Sequence, residues 1–195
     1  VDGVSFVLKK GETLGIVGES GSGKSTLARA VLKLLPASGG RIVWLGRDLG
    51  EADKRELRAL RGDFQIVFQD PLASLDPRMP VGQSIAEPLV ALAQRLPRRE
   101  MAARVKQAMQ RAGLDPAWVN RYPHELSGGQ NQRVGIARAI ILAPKMVICD
   151  EAVSALDVSI QAEIVALIGA LQHETGLALL FISHDLAVVR RLCHR

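Results

Sequence analysis

The stretch Gly18-Glu19-Ser20-Gly21-Ser22-Gly23-Lys24-Ser25-Thr26 fits the spacing G-x-x-x-x-G-K-[ST]. An apolar strand, Leu14 to Val17, precedes it and a helical stretch, Thr26 to Leu35, follows, which is the context that this spacing requires. Glycines let the backbone curl so that successive N–H groups face inward, and the helix that follows presents its positive end. Such a loop holds a polyphosphate, with Lys24 on the β- and γ-phosphates and Ser25 on Mg²⁺. The bland alternative is a glycine-rich structural turn.

A second candidate lies at Met146-Val147-Ile148-Cys149-Asp150-Glu151, an apolar strand ending in two carboxylates. Neighbours on a strand point to opposite sides, so the pair is expected to divide its work. We assign Asp150 to the metal and Glu151 to the base that polarises an attacking water. Taken alone, polar strand ends are common. Leu126-Ser127-Gly128-Gly129-Gln130 opens a third stretch, helical from Asn131 to Ala143, and offers a second helix end suited to an anion. In isolation it reads as an ordinary turn or cap. One nucleotide already has its loop, so a second cradle needs its own explanation.

The elements that must position these groups are β-rich runs with helical segments between them: Leu14 to Val17, Ile42 to Leu45, Gln65 to Phe68, Met146 to Cys149 and Ala178 to Ile182. That alternation predicts an α/β fold with a mainly parallel sheet. Three runs end at Gly18, at Asp150 with Glu151, and at Ser183 with His184, and open α/β sheets bind ligands at the carboxyl ends of their strands. Val4, Phe6 and Leu8 alternate ahead of a Lys10-Gly11-Glu12 turn, which predicts an N-terminal antiparallel edge hairpin. Between Pro71 and Val134 strand signals vanish and prolines recur, predicting an inserted helical subdomain (71–134) in a catalytic core of 1–70 and 135–195. Its clearest helix, Arg98 to Ala112, sets Met101, Val105, Ala108 and Ala112 on one face. The basic residues on its other faces read as a solvated surface or a site for an acidic partner.

Composition narrows the function further. The 195 residues are 48% hydrophobic and 23% charged, which fits a single globular domain and excludes disordered and collagen-like chains. No apolar run approaches the roughly 18 residues of a membrane helix, and no secretory leader is visible. The chain lacks an initial Met and is expected to be a fragment. Cys149 and Cys193 have neither zinc nor disulfide spacing, which favours a reducing compartment. The net charge of +5 is spread among 20 acids and aromatics are only 4%, too few for a base-stacking platform, so no nucleic acid is expected as a partner.

In chain order, GESGSGKST, VFQDP with Gln69, LSGGQ, MVICDE, SALD with Asp157 and FISHD with His184 resemble the nucleotide-binding domain of an ATP-binding cassette (ABC) transporter across essentially the whole chain. The resemblance implies a P-loop NTPase of the ABC ATPase type that uses ATP and Mg²⁺. It also implies a head-to-tail dimer in which Leu126 to Gln130 of one subunit close over ATP held by the other. Gln69 then matches the glutamine that senses the γ-phosphate and Mg²⁺, His184 the histidine on the γ-phosphate, and Asp157 the aspartate that communicates across the dimer. Otherwise these are a polar residue after a strand, a surface histidine and a helix N-cap.

Departures from the family pattern are Ala152, where many cassettes have Pro, and Asn131, where Gln or Arg is usual. The adenine-stacking aromatic falls upstream of Val1 and a further strand downstream of Arg195, so both ends are expected to be truncated. QDPLASLDPRM (69–79), EAVSALDVSIQAEI (151–164) and SHDLAVV (183–189) are more closely similar to importers of oligopeptides, dipeptides, glutathione or nickel. This implies a second ATPase subunit, permease subunits and, indirectly, a substrate-binding protein, at the cytoplasmic face of the bacterial inner membrane. The rivals fit less well. A non-transport cassette ATPase usually carries coiled-coil insertions, a small-molecule kinase leaves LSGGQ unexplained, and a degenerate cassette would not keep Lys24, Asp150, Glu151 and His184.

Overall fold

In the computed structural model, which describes residues 1–92 and 96–195, four parallel strands form the central sheet. They are β1 (Thr13–Val17), β4 (Phe64–Val67), β5 (Met146–Asp150) and β6 (Ala178–Ser183), in the order β1-β6-β5-β4. β5 and β6 are buried along their whole lengths, as near-continuous apolar runs covered on both faces should be. Alternate residues of β5 feed two cores: Met146 and Ile148 pack with Leu14, Ala28, Leu32 and Leu180, while Val147 and Cys149 pack with Ile136, Ile168 and Phe181. Helices α1 (Lys24–Val31) and α2 (Lys54–Leu60) come early in the chain. Helices α5 (Gly128–Ile140), α6 (Val158–Thr175) and α7 (Leu186–Leu192) come late.

The register brings the candidate residues to one edge. Val17 pairs with Ser183 and Asp150 with Ile182, so Gly18, Asp150, Glu151 and His184 all lie at the carboxyl end of the sheet.

Between β4 and β5 the described residues hold no strand. They form α3 (Val81–Ala91), α4 (Arg98–Arg111), 3-10 turns at Pro116–Asn120 and Pro123–Glu125, and α5. Pro80 and Pro97 stand at the entries of α3 and α4, and Pro116 and Pro123 open the two turns, where a missing N–H costs nothing. Val105, Ala108 and Ala112 are buried on the expected face of α4. They belong, with Ile85 and Leu89, to the same continuous cluster as Val147 and Phe181 of the sheet. Part of the basic surface is answered within the chain, since Arg104 lies 2.9 Å from Glu100 and Arg111 3.2 Å from Glu174.

Two expectations change. No strand forms over Val4 to Leu8; the antiparallel pair is instead β2 (Val43–Trp44) with β3 (Arg47–Asp48). Phe6 and Leu8 do pack partly buried against the second core, and the Lys9–Glu12 turn forms (Glu12 N to Lys9 O, 3.1 Å). Alternation reports which side of a segment is covered, not whether its backbone has a partner strand. The Ile42 to Leu45 run likewise shrinks to the two residues of β2, outside the parallel sheet. Among the described residues, no helix is long and apolar enough to cross a membrane.

Candidate nucleotide-binding site

The loop after β1 turns into α1 through Gly23, whose φ of 93° lies in the left-handed region that a side chain would disfavour. Lys24 then opens the helix with its side chain almost fully buried. Its ammonium donates to the carbonyls of Gly18 (2.9 Å) and Glu19 (2.8 Å) and forms an ion pair with Glu151 Oε1 at 3.5 Å. Ser25 Oγ donates to Asp150 Oδ1 at 2.8 Å. Glu19, Ser20, Gly21, Ser22 and Thr26 are exposed along the rim.

Both carboxylates therefore reach adjacent residues of α1, which corrects the expectation that they point to opposite sides. β5 ends at Asp150, and Glu151 adopts a left-handed φ of 49° that returns its side chain to the loop. For a residue with a Cβ this conformation costs on the order of 1–2 kcal/mol. The backbone around it is pinned, with Glu151 N donating to Ile182 O (3.0 Å) and Glu151 O accepting from Ser154 Oγ (3.0 Å). Glu151 Oε2 lies 3.5 Å from Nδ1 of His184, whose side chain is exposed. Just behind, burial pushes the Cys149 thiol up to about 12, aided by Cys193 and Asp150, so that thiol is no nucleophile.

Gln69, two residues beyond β4, is exposed, and its side chain bonds to none of the described residues. Asp157 caps α6 by position only: its side chain makes no capping hydrogen bond and stands exposed.

Ser127 is the N-cap of α5 in a reciprocal capping box. Gln130 N donates to Ser127 Oγ (3.3 Å) and Ser127 N to Gln130 Oε1 (2.9 Å). The amides of Gly128 and Gly129 are left without a partner among the described residues, at a helix N-terminus. Leu126 precedes them half-buried. Among the described residues no hydrogen bond or ion pair joins residues 126–130 to the Lys24 cluster. A Cβ on Gly129 would stand 2.6 Å from Ile160 Cγ2, so this glycine is required by the approach of α6.

A family model described as ABC transporter matches residues 1–154. The chain belongs to the ABC transporter family. The oligopeptide transport ATP-binding protein OppF of Escherichia coli (strain K12) is 58% identical to this ABC chain over all 195 residues. The chain spans 58% of the length of that relative. Of the solved ABC structures, cbiO1 from Clostridium perfringens, part of the transporter complex cbiONQ, superposes with a TM-score of 0.87 at 33% identity, covering 98% of this chain and 74% of that one. A dimeric post-hydrolysis state of the ATP-binding cassette MJ0796, bound to ADP and Pi, gives 0.84 at 31% identity, covering 95% and 80%.

Behind the cradle lie two buried polar residues, each 1% exposed: Asn131, singled out in the sequence only as a departure from the family pattern, and Gln132, which no sequence pattern singled out. Asn131 Nδ2 donates to Pro123 O (2.9 Å) and Leu126 O (3.2 Å), fixing the segment that enters Ser127. Gln132 Nε2 reaches Phe68 O at 3.4 Å. The available signal was position, because both follow directly on LSGGQ.

Proposed function

We propose that this chain binds and hydrolyses ATP as one half of a head-to-tail dimer and so drives peptide import through permease subunits. One observation carries the reading: Lys24, Ser25, Asp150, Glu151 and His184 are drawn together in one cluster, while the chain holds a second donor cradle, at Ser127, that shares no hydrogen bond or ion pair with it among the described residues. A cradle of free amides at a helix N-terminus suits a γ-phosphate, and a second subunit supplies one. The dimeric MJ0796 cassette, bound to ADP and Pi, supports this arrangement.

Within one site the loop amides of residues 18–25 cradle the phosphates and Lys24 exchanges its carbonyl partners for β- and γ-phosphate oxygens. The hydroxyl of Ser25 and the carboxylate of Asp150, 2.8 Å apart, are hard oxygen donors that fit Mg²⁺, with Gln69 as a further oxygen ligand. When bound, that ion neutralises charge on the phosphate oxygens. Glu151 orients the attacking water and accepts its proton, while His184 holds the γ-phosphate. Ser127, Gly128, Gly129 and Gln130 serve the opposite subunit's ATP, and Asp157, free of capping duty, communicates across the dimer.

Residues 71–134 form the helical subdomain of this reading. A cavity of about 290 Å³ beside it, lined by Ile66, Phe68, Glu87, Pro88, Ala91 and Arg138, offers an apolar floor with one charge of each sign. It suits a short permease helix docked next to Gln69, with the protein peripheral on the cytoplasmic face of a bacterial inner membrane. The 58% identity to OppF supports oligopeptides as the cargo, delivered by a substrate-binding protein. Removing the gene for the full-length protein should abolish uptake of a labelled tripeptide and spare nickel uptake. Undiminished tripeptide uptake would refute the cargo assignment.

A further inference from the structure

Helix α5 begins at the Ser127 cradle and also grips the loop that carries Gln69, at a point on either side of it. Ahead of Gln69, Gln132 Nε2 lies 3.4 Å from the carbonyl of Phe68, which belongs to the peptide bond joining Phe68 to Gln69. Beyond it, Arg138 Nη1 donates to Ser74 O at 2.6 Å. Residues 70–74 between the grips form a self-bonded turn, with Ala73 N on Asp70 Oδ1 (3.1 Å) and Ser74 Oγ on Pro71 O (2.8 Å). Gln132 is 1% exposed and its Oε1 has no partner among the described residues, so its Nε2 contact to Phe68 O is kept at a cost in stability.

We propose that Gln132 and Arg138 are positioning residues that fasten the Gln69 loop to the helix bearing Ser127, so that the two loops of one chain, serving two different ATP molecules, move as one body. This rests on the roles given above to Gln69 and Ser127. Motion at one ATP is then passed to the other through α5 itself, whose backbone is stiff over its 13 residues. Neither side chain touches nucleotide; each acts through the peptide it holds.

The test is a double-mutant cycle in ATP turnover of the full-length protein. Gln132→Met keeps the volume and removes the amide. Gln69→Ala should lower kcat about tenfold, Gln132→Met about fivefold with the KM for ATP unchanged within about twofold, and the double variant no further than Gln69→Ala alone. A purely structural role for Gln132 gives losses that multiply, to about fiftyfold, and overturns the proposal, as does a Gln132→Met kcat equal to wild type. If Gln69→Ala alone keeps the wild-type kcat, the role of Gln69 has failed and the proposal with it, an outcome distinct from multiplicative losses. Arg138→Met, at a residue beside a cavity, repeats the cycle should Gln132→Met not fold. The same non-additivity with Gln69→Ala is expected, and multiplicative losses there again overturn the proposal.

Discussion

Lys24 Nζ lies 3.5 Å from Glu151 Oε1, joining the start of α1 to the first residue beyond β5. That contact exists because Glu151 leaves the strand in a left-handed conformation, which turns its carboxylate toward the loop between β1 and α1. Glu151→Gln keeps size and hydrogen-bonding capacity but cannot accept a proton. ATP affinity should therefore change by less than about threefold while turnover falls at least about a hundredfold, as for loss of a general base. Equilibrium binding and steady-state hydrolysis on the same preparation decide it, and wild-type turnover would remove Glu151 from this role.

Ser127→Arg places a long cation in the cradle at the head of α5. The Lys24 cluster shares no bond with that cradle, so ATP binding by an isolated subunit should persist within about threefold. Hydrolysis, for which the proposed dimer uses the cradle of the partner, should drop to background. Loss of ATP binding by the monomer would contradict the division of labour between the two sites.

Two adjacent glycines should behave differently. A Cβ on Gly129 meets Ile160 Cγ2 at 2.6 Å, whereas on Gly128 the nearest atom is Leu156 Cδ2 at 3.6 Å, ordinary contact. Gly129→Ala should destabilise the fold by about 1–3 kcal/mol, as overpacking does. Gly128→Ala should leave stability within about 0.5 kcal/mol and lower hydrolysis instead. Urea unfolding and turnover measured together separate the two, and equal stability losses would defeat the distinction.

The residues that carried the sequence reading were those whose local pattern also decides the structure. The runs at β1, β4, β5 and β6 are apolar because both faces of the sheet are covered, and the loop at Gly18 to Thr26 fits its spacing between strand and helix. Glu151 was legible as a residue and illegible as a direction, because one left-handed φ reverses what strand alternation predicts. Val4 to Leu8 misled for the opposite reason, since one-sided burial imitates a strand where no ladder exists. Gln132 escaped notice, and Asn131 was legible only as a departure from the family pattern, because their burial is set by tertiary packing: Gln132 against the carbonyl of Phe68 after β4, and Asn131 against the carbonyls of Pro123 and Leu126.

The Cys149 thiol gives a pH signature. Burial raises it from 9.0 to about 12 in the folded chain, so its contribution is complete below about pH 9 and is lost as pH climbs toward 12. Between about pH 8 and pH 10.5 the wild type should lose about 1–2 kcal/mol that Cys149→Ala does not, so the gap between them narrows. A gap that stays constant over that range would place the thiol in a wetter environment than its 1% exposure indicates.

In the proposed function one chain holds ATP at Lys24 and lends Ser127 to another. Its most direct test is the solution mass, by light scattering, of the full-length Glu151→Gln variant in ATP with Mg²⁺ and then in ADP. A dimer in ATP that reverts to monomer in ADP is the predicted result, with Ser127→Arg abolishing the dimer. A monomer in both nucleotides, unchanged on mixing with paralogous ATPase subunits, would contradict the shared site.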